Sequence, residues 1–236
     1  MNKSKIEWCD FSLNPIKGLC PVDCKDNQGK SYCYARRMYQ RFKWNPEIEW
    51  DEKCLIDLKR IKEPSRIFIG STMELFGEWA GLAMGVILSY VKDYPQHTFI
   101  FLTKQPQNLN KWSPYPGNCY IGVSVTNGQQ LQPAIQGLTT IDATVKFLSL
   151  EPLLDRVPLN GLAHHLQWLI IGAETMNGKI VKSSMPKIEW IQEIEAAANH
   201  ANTPVFEKNN LKTLIKYPLR QEMPAAPACT SRARKR

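Results

Sequence analysis

Short, nearly continuous apolar runs rich in β-branched and aromatic residues recur along the chain. They are Ile67-Phe-Ile-Gly70, Thr98-Phe-Ile-Phe-Leu-Thr103, Cys119-Tyr-Ile-Gly-Val-Ser-Val125, Val145-Lys-Phe-Leu-Ser-Leu150, Trp168-Leu-Ile-Ile-Gly172 and Pro204-Val-Phe206. Strands covered on both faces read this way, because neither side-chain direction meets water. Between them lie segments with helical spacing. Leu82, Val86, Ile87 and Val91 predict one buried helix face between the first two runs, and Ile188, Ile191, Ile194 and Ala198 another between the last two. Strand then helix, repeated, predicts an α/β protein with a parallel sheet, and a seventh strand is expected near Phe11 to Ile16. No linker divides these units, so one wound domain, open or closed, is expected over residues 1–222. Residues 223–236 read as a disordered basic tail.

In parallel β/α folds the chemistry gathers at the carboxyl ends of the strands. The residues there are polar with some regularity: Ser71-Thr-Met-Glu74, Thr103-Lys-Gln105, Ser124 with Thr126 and Asn127, Ser149 with Glu151-Pro152, Glu174-Thr175, and Glu207-Lys-Asn209. Any one of them reads equally well as a helix cap or a solvated loop. Glu74, Glu151 and Glu174 with Lys104 and Lys208, at equivalent positions of successive units, would nevertheless converge on one mouth.

Composition narrows this further. With 43% hydrophobic and 22% charged residues in 236, the chain is compact rather than fibrous or disordered. No apolar run approaches the ~18 to 20 residues of a membrane span, and the first eight residues are too polar for a secretion signal. A cytoplasmic location with no membrane partner is expected. The net charge of +8 points to nucleic acid or a nucleotide as partner, and its distribution matters more than its sum. Residues 25–43 carry Lys25, Lys30, Arg36, Arg37, Arg41 and Lys43 against Asp26, the tail carries Arg232, Arg234, Lys235 and Arg236, and the body between them is close to neutral. Tyr32, Tyr34, Tyr39, Phe42 and Trp44 interleave the first stretch and could stack on bases. Alternatively, the arginines form the solvated face of a helix whose buried face is Tyr34, Met38 and Phe42.

Seven cysteines, at 9, 20, 24, 33, 54, 119 and 229, are an odd number, which argues for metal binding or free thiols over a disulfide framework. Cys20, Cys24 and Cys33 lie together in a loop after the first expected strand. Three thiolates are one ligand short of the usual structural zinc site. They suit a [4Fe-4S] cluster with one iron left open. Ordinary cytosolic thiols remain the third alternative.

A cysteine triad in that loop, with an aromatic residue just before the third cysteine, resembles the radical S-adenosylmethionine (SAM) superfamily. The spacing of Cys20 and Cys24 fits its pattern, and the gap to Cys33 is six residues too long. The whole chain resembles a phage-associated family of radical-SAM-like proteins of unknown function. The shared wording is Lys5-Ile-Glu-Trp8, Asn14-Pro15, Cys33-Tyr-Ala-Arg36, Gly70-Ser-Thr-Met-Glu-Leu-Phe-Gly-Glu-Trp79, Phe101-Leu-Thr-Lys104, Gly122-Val-Ser-Val125 and Leu148-Ser-Leu-Glu-Pro-Leu153.

The resemblance implies a single partial TIM-like (β/α) barrel of six or seven parallel strands, with a [4Fe-4S] cluster on Cys20, Cys24 and Cys33. One electron, from a donor such as flavodoxin or ferredoxin, would cleave SAM, and the resulting 5′-deoxyadenosyl radical would abstract hydrogen from a nucleic-acid or nucleotide substrate. Ser71, Thr72 and Glu74 are expected to meet SAM, Ser124 and Asn127 its ribose or carboxylate, and Glu151 to face it. Lys104, Glu174 and Lys208 are left for substrate. The extra residues 25–30 either bulge outward around Asn27-Gln-Gly29 or carry Cys33 away from the cluster, in which case Cys9 is a substitute ligand. Cys54, Cys119 and Cys229 are expected to be structural or tail thiols. The rival reading is a non-catalytic nucleic-acid-binding or phage interaction protein on the same fold, with zinc or no metal at the cysteines.

Overall fold

The computed structural model describes residues 2–26, 28–176 and 178–225. Among them, one sheet holds β1 (Asn2–Lys3), β2 (Phe11–Leu13), β3 (Arg66–Ile69), β4 (Thr98–Thr103), β5 (Cys119–Ser124), β6 (Val145–Leu150), β7 (Trp168–Ile171) and β8 (Val205–Glu207), ordered in space as in sequence. The seven strands from β2 onward are parallel and β1 is antiparallel to β2, so all the expected strands form. Helices α1 (Tyr34–Phe42), α2 (Gly81–Asp93), α3 (Leu131–Thr139) and α4 (Ile188–Ala201) follow β2, β3, β5 and β7. The other crossovers are short 3-10 turns at Pro106–Trp112 and Leu162–His165. The result is a curled half-barrel, the partial TIM-like barrel expected.

Alternate residues of each strand face opposite ways. Ile67, Ile69, Phe99, Phe101, Ile121 and Leu148 pack under the helices with Met84, Ile87, Leu138 and Ile191. Their neighbours Phe68, Ile100, Tyr120, Phe147 and Ile170 build a second cluster on the inner face, with Trp168 and Phe206. Trp8, from the segment before β2, lies across it. Its ring is 4.9 Å from Phe68 on β3 and 6.1 Å from Trp168 on β7, so the curl brings strands far apart in the sheet onto one side chain. Phe147 reaches over Gly122, where a Cβ would meet its ring at 2.2 Å.

Two helix expectations change. On α2 the buried residues are Met84, Ile87, Leu88 and Val91, while Leu82 is 95% exposed and Val86 is exposed as well. The helix begins at Gly81, and the spacing that faces the sheet is 84, 87, 88 and 91. On α1 only Ala35 is buried, and Tyr34 and Phe42 are exposed, so those aromatics do not form a core face.

The chain after α4 returns along the sheet edge. Glu222 N–H donates to Val205 O and Glu207 N–H to Arg220 O, which covers the open side of β8. Met223 packs against the inner cluster. Met223 is the first residue of the expected basic tail, residues 223–236; of that tail, residues 226–236, with Cys229, lie outside the described residues. No described helix is long and apolar enough to cross a membrane.

Candidate functional site

The loop that leaves β2 is organised around its cysteines. A bridge between Lys25 and Ser31, with Asp26 N–H donating to Lys30 O and Tyr32 N–H to Cys24 O, closes the extra residues into a small hairpin. Asn27 at its tip is outside the described residues. Because the hairpin returns to its own start, Cys33 comes back beside Cys24 despite the long gap. Cys33 is also the N-cap of α1, its Sγ accepting Arg36 N–H at 3.5 Å, which sets the thiol at the positive end of a helix. Arg36 ties the loop down by donating to Cys20 O and pairing with Asp23.

The Cys24 thiol hydrogen-bonds to Cys33. That bond, the Arg36 amide and the charge of Lys104 lower the Cys33 pKa to about 6 against the effect of burial. The same bond, with burial, pushes Cys24 up. Burial also raises Cys20, whose Sγ accepts Glu74 N–H at 3.4 Å.

All three thiols line a cavity of about 330 Å³ at the carboxyl ends of the strands, with Trp8 and Phe68 of the inner cluster also in its wall. Ser71, Thr72, Glu74, Lys104, Ser124, Glu151, Glu174 and Lys208 line the same space. Of the residues picked from strand ends for ligand contact, Asn127 is not in this wall. It caps the turn after β5, its Oδ1 accepting the Gln129 and Gln130 amides.

Ser71 and Thr72 are held by Asn14, whose amide donates to Ser71 Oγ at 3.1 Å and accepts Thr72 N–H at 3.0 Å; Tyr34 Oη donates to Ser71 O. Both Glu74 oxygens are engaged. Oε1 accepts from Thr103 Oγ1 (2.7 Å) and Phe76 N–H, and Oε2 accepts Lys104 N–H (2.8 Å), so this carboxylate stitches the ends of β3 and β4 together. Lys104 extends its ammonium to Ser124 Oγ (3.4 Å) and is exposed to the cavity. Burial acts to lower its pKa, and the surrounding Cys24, Tyr32, Glu74 and Cys33 outweigh that and raise it.

On the opposite side Glu151 pairs with Lys208. The pair passes over Gly172, where a Cβ would lie 3.1 Å from Lys208 Cδ and 3.2 Å from the Glu151 side chain. Glu174 accepts from Ser184 Oγ at 2.6 Å and faces Arg37 at 3.6 Å. Arg37 Nη1 and Glu174 Oε1 are both buried without a hydrogen-bond partner.

Asn14 and Arg37 are the site residues that strand-end reasoning missed; the Asn14-Pro15 pair just past β2 was the available signal. Cys9, the alternative ligand, is buried, donates to Ser4 Oγ at 3.2 Å and is not in the cavity wall. Cys54 donates to Asp51 O and Cys119 is buried in the core, as expected of structural thiols. Among the described residues no three His, Cys, Asp or Glu side chains converge as a single metal ion requires.

A family model described as "Protein of unknown function (DUF5131)" matches residues 3–214. No curated protein matches. Among solved structures the chain is similar to spore photoproduct lyase complexed with dinucleoside spore photoproduct, and to a double mutant of that lyase with bound AdoMet and dinucleoside spore photoproduct. Each is 12% identical with a TM-score of 0.54, covering 84% of this chain and 63% of that chain. A tyrosine-to-phenylalanine mutant of the lyase matches at 9% identity and a TM-score of 0.52, covering 87% and 78%. At such identities the likeness shows the fold. The chain spans less than two thirds of the length of the first two.

Proposed function

We propose that this chain, which belongs to the DUF5131 family, is a radical SAM enzyme that acts on a nucleic-acid component. It carries a [4Fe-4S] cluster on Cys20, Cys24 and Cys33 and binds SAM across the strand ends. One observation carries the reading: three thiols and the polar ends of successive parallel strands line a single cavity. A lone zinc needs its donors to meet at one point, about 2.3 Å from each sulfur. A cluster offers each cysteine an iron of its own, so three neighbouring thiols need not meet. The amides on Cys20 and Cys33 Sγ and the Lys104 ammonium suit thiolate ligands, whose negative charge they offset.

Bound there, the cluster would supply the electron that cleaves SAM. The chain's share is binding, orientation and exclusion of water. Ser71 and Thr72, fixed by Asn14, present polar groups to SAM, and Glu74 acts through the loop that it holds. Ser124 and Glu151 flank them. Lys104, Glu174 and Lys208 face the substrate, with Trp8 and Phe68 as a dry floor. Solved lyase chains of the same fold bind AdoMet and a dinucleoside, which supports both ligand classes.

The test is anaerobic reconstitution with iron and sulfide, followed by an iron count and a search for 5′-deoxyadenosine after reduction with SAM. About four irons per chain and SAM cleavage are expected. Fewer than about three irons, or zinc alone, overturns the reading.

A further inference from the structure

Beside the cysteine mouth lies a second cavity, of about 270 Å³, between α1 and the hairpin of Thr175–Met176 with Lys179–Ile180. Tyr34, Arg37 and Thr175 line both cavities, so the two adjoin along one wall. The charge around the second is one-sided. The α1 sequence carries Arg36, Arg37 and Arg41 with no acid, and residues 175–187 carry Lys179, Lys182 and Lys187 with no acid. The near-neutral sum of the chain's body conceals this second basic stretch.

The structure sorts these cations by what already holds them. Asp23 holds Lys25 and Arg36, and Glu174 faces Arg37. Arg41 instead lies over the Phe42 ring at 5.3 Å, and it is exposed, as are Lys179 and Lys182. Where α1 ends, Phe42 (52% exposed) stacks on Trp44 (44% exposed) with centroids 5.4 Å apart and planes at 22°. The cavity is lined by Arg37 and Arg41 on its helix side, and Lys179 follows Gly178 of its other side in sequence. A half-exposed ring pair continuing such a cavity has the features of a single-strand binding site: cations for the backbone and exposed aromatic surface for bases.

We propose that this second cavity and the Phe42–Trp44 ledge form the docking groove for single-stranded nucleic acid, which delivers one nucleotide past Arg37 into the cysteine mouth. The inference deepens the reading above and rests on it for the reaction. Phosphates meet Arg41, Lys179 and Lys182, and unpaired bases stack on Phe42 and Trp44. Acid-free walls favour a polyanion over a mixed-charge protein surface. A ledge that needs free base faces favours single strands over a duplex, whose faces are stacked away.

The test is fluorescence anisotropy with labelled oligothymidylate and oligouridylate of about a dozen nucleotides, read across a salt series on the full chain with and without its reconstituted cluster. The two probes separate DNA from RNA, and binding of either supports the groove. Arg41→Glu with Lys179→Glu is expected to weaken binding at least tenfold and to flatten the slope of log affinity against log salt by about 1.4, at ~0.7 per lost phosphate contact. Phe42→Ala with Trp44→Ala is expected to weaken binding about tenfold with the slope unchanged. Circular dichroism and the unfolding midpoint check that the variants fold, and Arg41→Gln with Lys179→Gln serves if charge reversal disturbs folding. The groove is overturned if both pairs bind as the parent does, if a duplex binds as tightly as the single strand, or if polyglutamate competes as well as oligonucleotide. Oligonucleotide binding by a chain that takes up no iron on reconstitution would sink the radical reading alone; SAM cleavage by a chain that binds no oligonucleotide would sink the groove alone.

Discussion

On the inner face of the half-barrel, Phe68, Phe147, Trp168 and Phe206 close around Trp8. Just past the ends of the same strands the side chains are Ser71, Glu151, Glu174 and Lys208, around a cavity. The two regions differ in how their members are satisfied. Every ring of the floor is buried, and Trp168 Nε1 donates to Glu222 O; the exception is Trp8 Nε1, which has no hydrogen-bond partner among the described residues where Trp8 reaches the cavity wall. In the mouth, among the described residues, the Lys104 ammonium makes one hydrogen bond, to a hydroxyl at 3.4 Å, and Arg37 and Glu174 face each other without a hydrogen bond between them. The floor is arranged for stability, while the mouth keeps polar groups that a ligand would complete. Substitutions in the two regions should therefore separate cleanly by what they change.

The largest expected effect is at Cys33. Cys33→Ser removes the thiolate and keeps a good N-cap for α1. Iron content after reconstitution should fall from about four per chain to near none. The unfolding midpoint of the iron-free protein should stay within about 2 °C of the parent's. Full iron retention would show that the long gap has taken Cys33 out of the ligand set.

Next is Trp168→Ala, the mirror case in the floor. It removes the largest fully buried ring and the partner of the returning C-terminal segment. A loss of about 3–5 kcal/mol is expected in denaturant unfolding. Iron and SAM binding per folded molecule should be unchanged at low temperature. Their loss would mean that floor and mouth are one unit.

Much of this division was legible in the sequence. The strands were readable because both faces of β4, β5 and β7 are covered, which leaves apolar runs without interruption. The mouth was readable because polar residues directly follow those runs. What could not be read was set by distant contacts. Trp8 sits in a short segment without periodicity, and its place depends on β3 and β7 closing around it. Asn127 has the right residue type at the right strand end, yet its carbonyl is taken by the following amides, the competing use that such positions always carry. On α2, Leu82 and Val86 are as apolar as the residues that pack, and only the start of the helix decides which stripe faces the sheet.

Glu207 tests the comparison from another side, since it ends β8 beside the mouth yet is fully buried and turned away from it. Burial first, and the neighbouring Glu195 second, raise its pKa from 4.5 to about 7. Between these values the folded protein holds a proton that the unfolded chain has released, so stability falls as pH rises through that window. The contribution is fully present below about pH 4.5 and lost above about 7, with a magnitude of about 3 kcal/mol. Glu207→Gln should therefore flatten stability against pH between 5 and 8 in chemical denaturation at each pH. An unchanged slope would assign the dependence to another group.

The smallest effect belongs to the Glu151–Lys208 pair, whose side chains are 25% and 15% exposed, neither dry like the floor nor free like the surface. Breaking a fully buried pair costs about 3–5 kcal/mol, and an exposed pair contributes about 0–1. Lys208→Met, which keeps the stem over Gly172 and leaves Glu151 uncompensated, should cost about 1 kcal/mol, because the cavity still lets water reach the carboxylate. Adding Glu151→Gln should recover most of that loss in a double-mutant cycle. A cost above about 3 kcal/mol would place this pair with the floor, and the boundary between a region built for stability and one built for ligands would then run through the mouth itself.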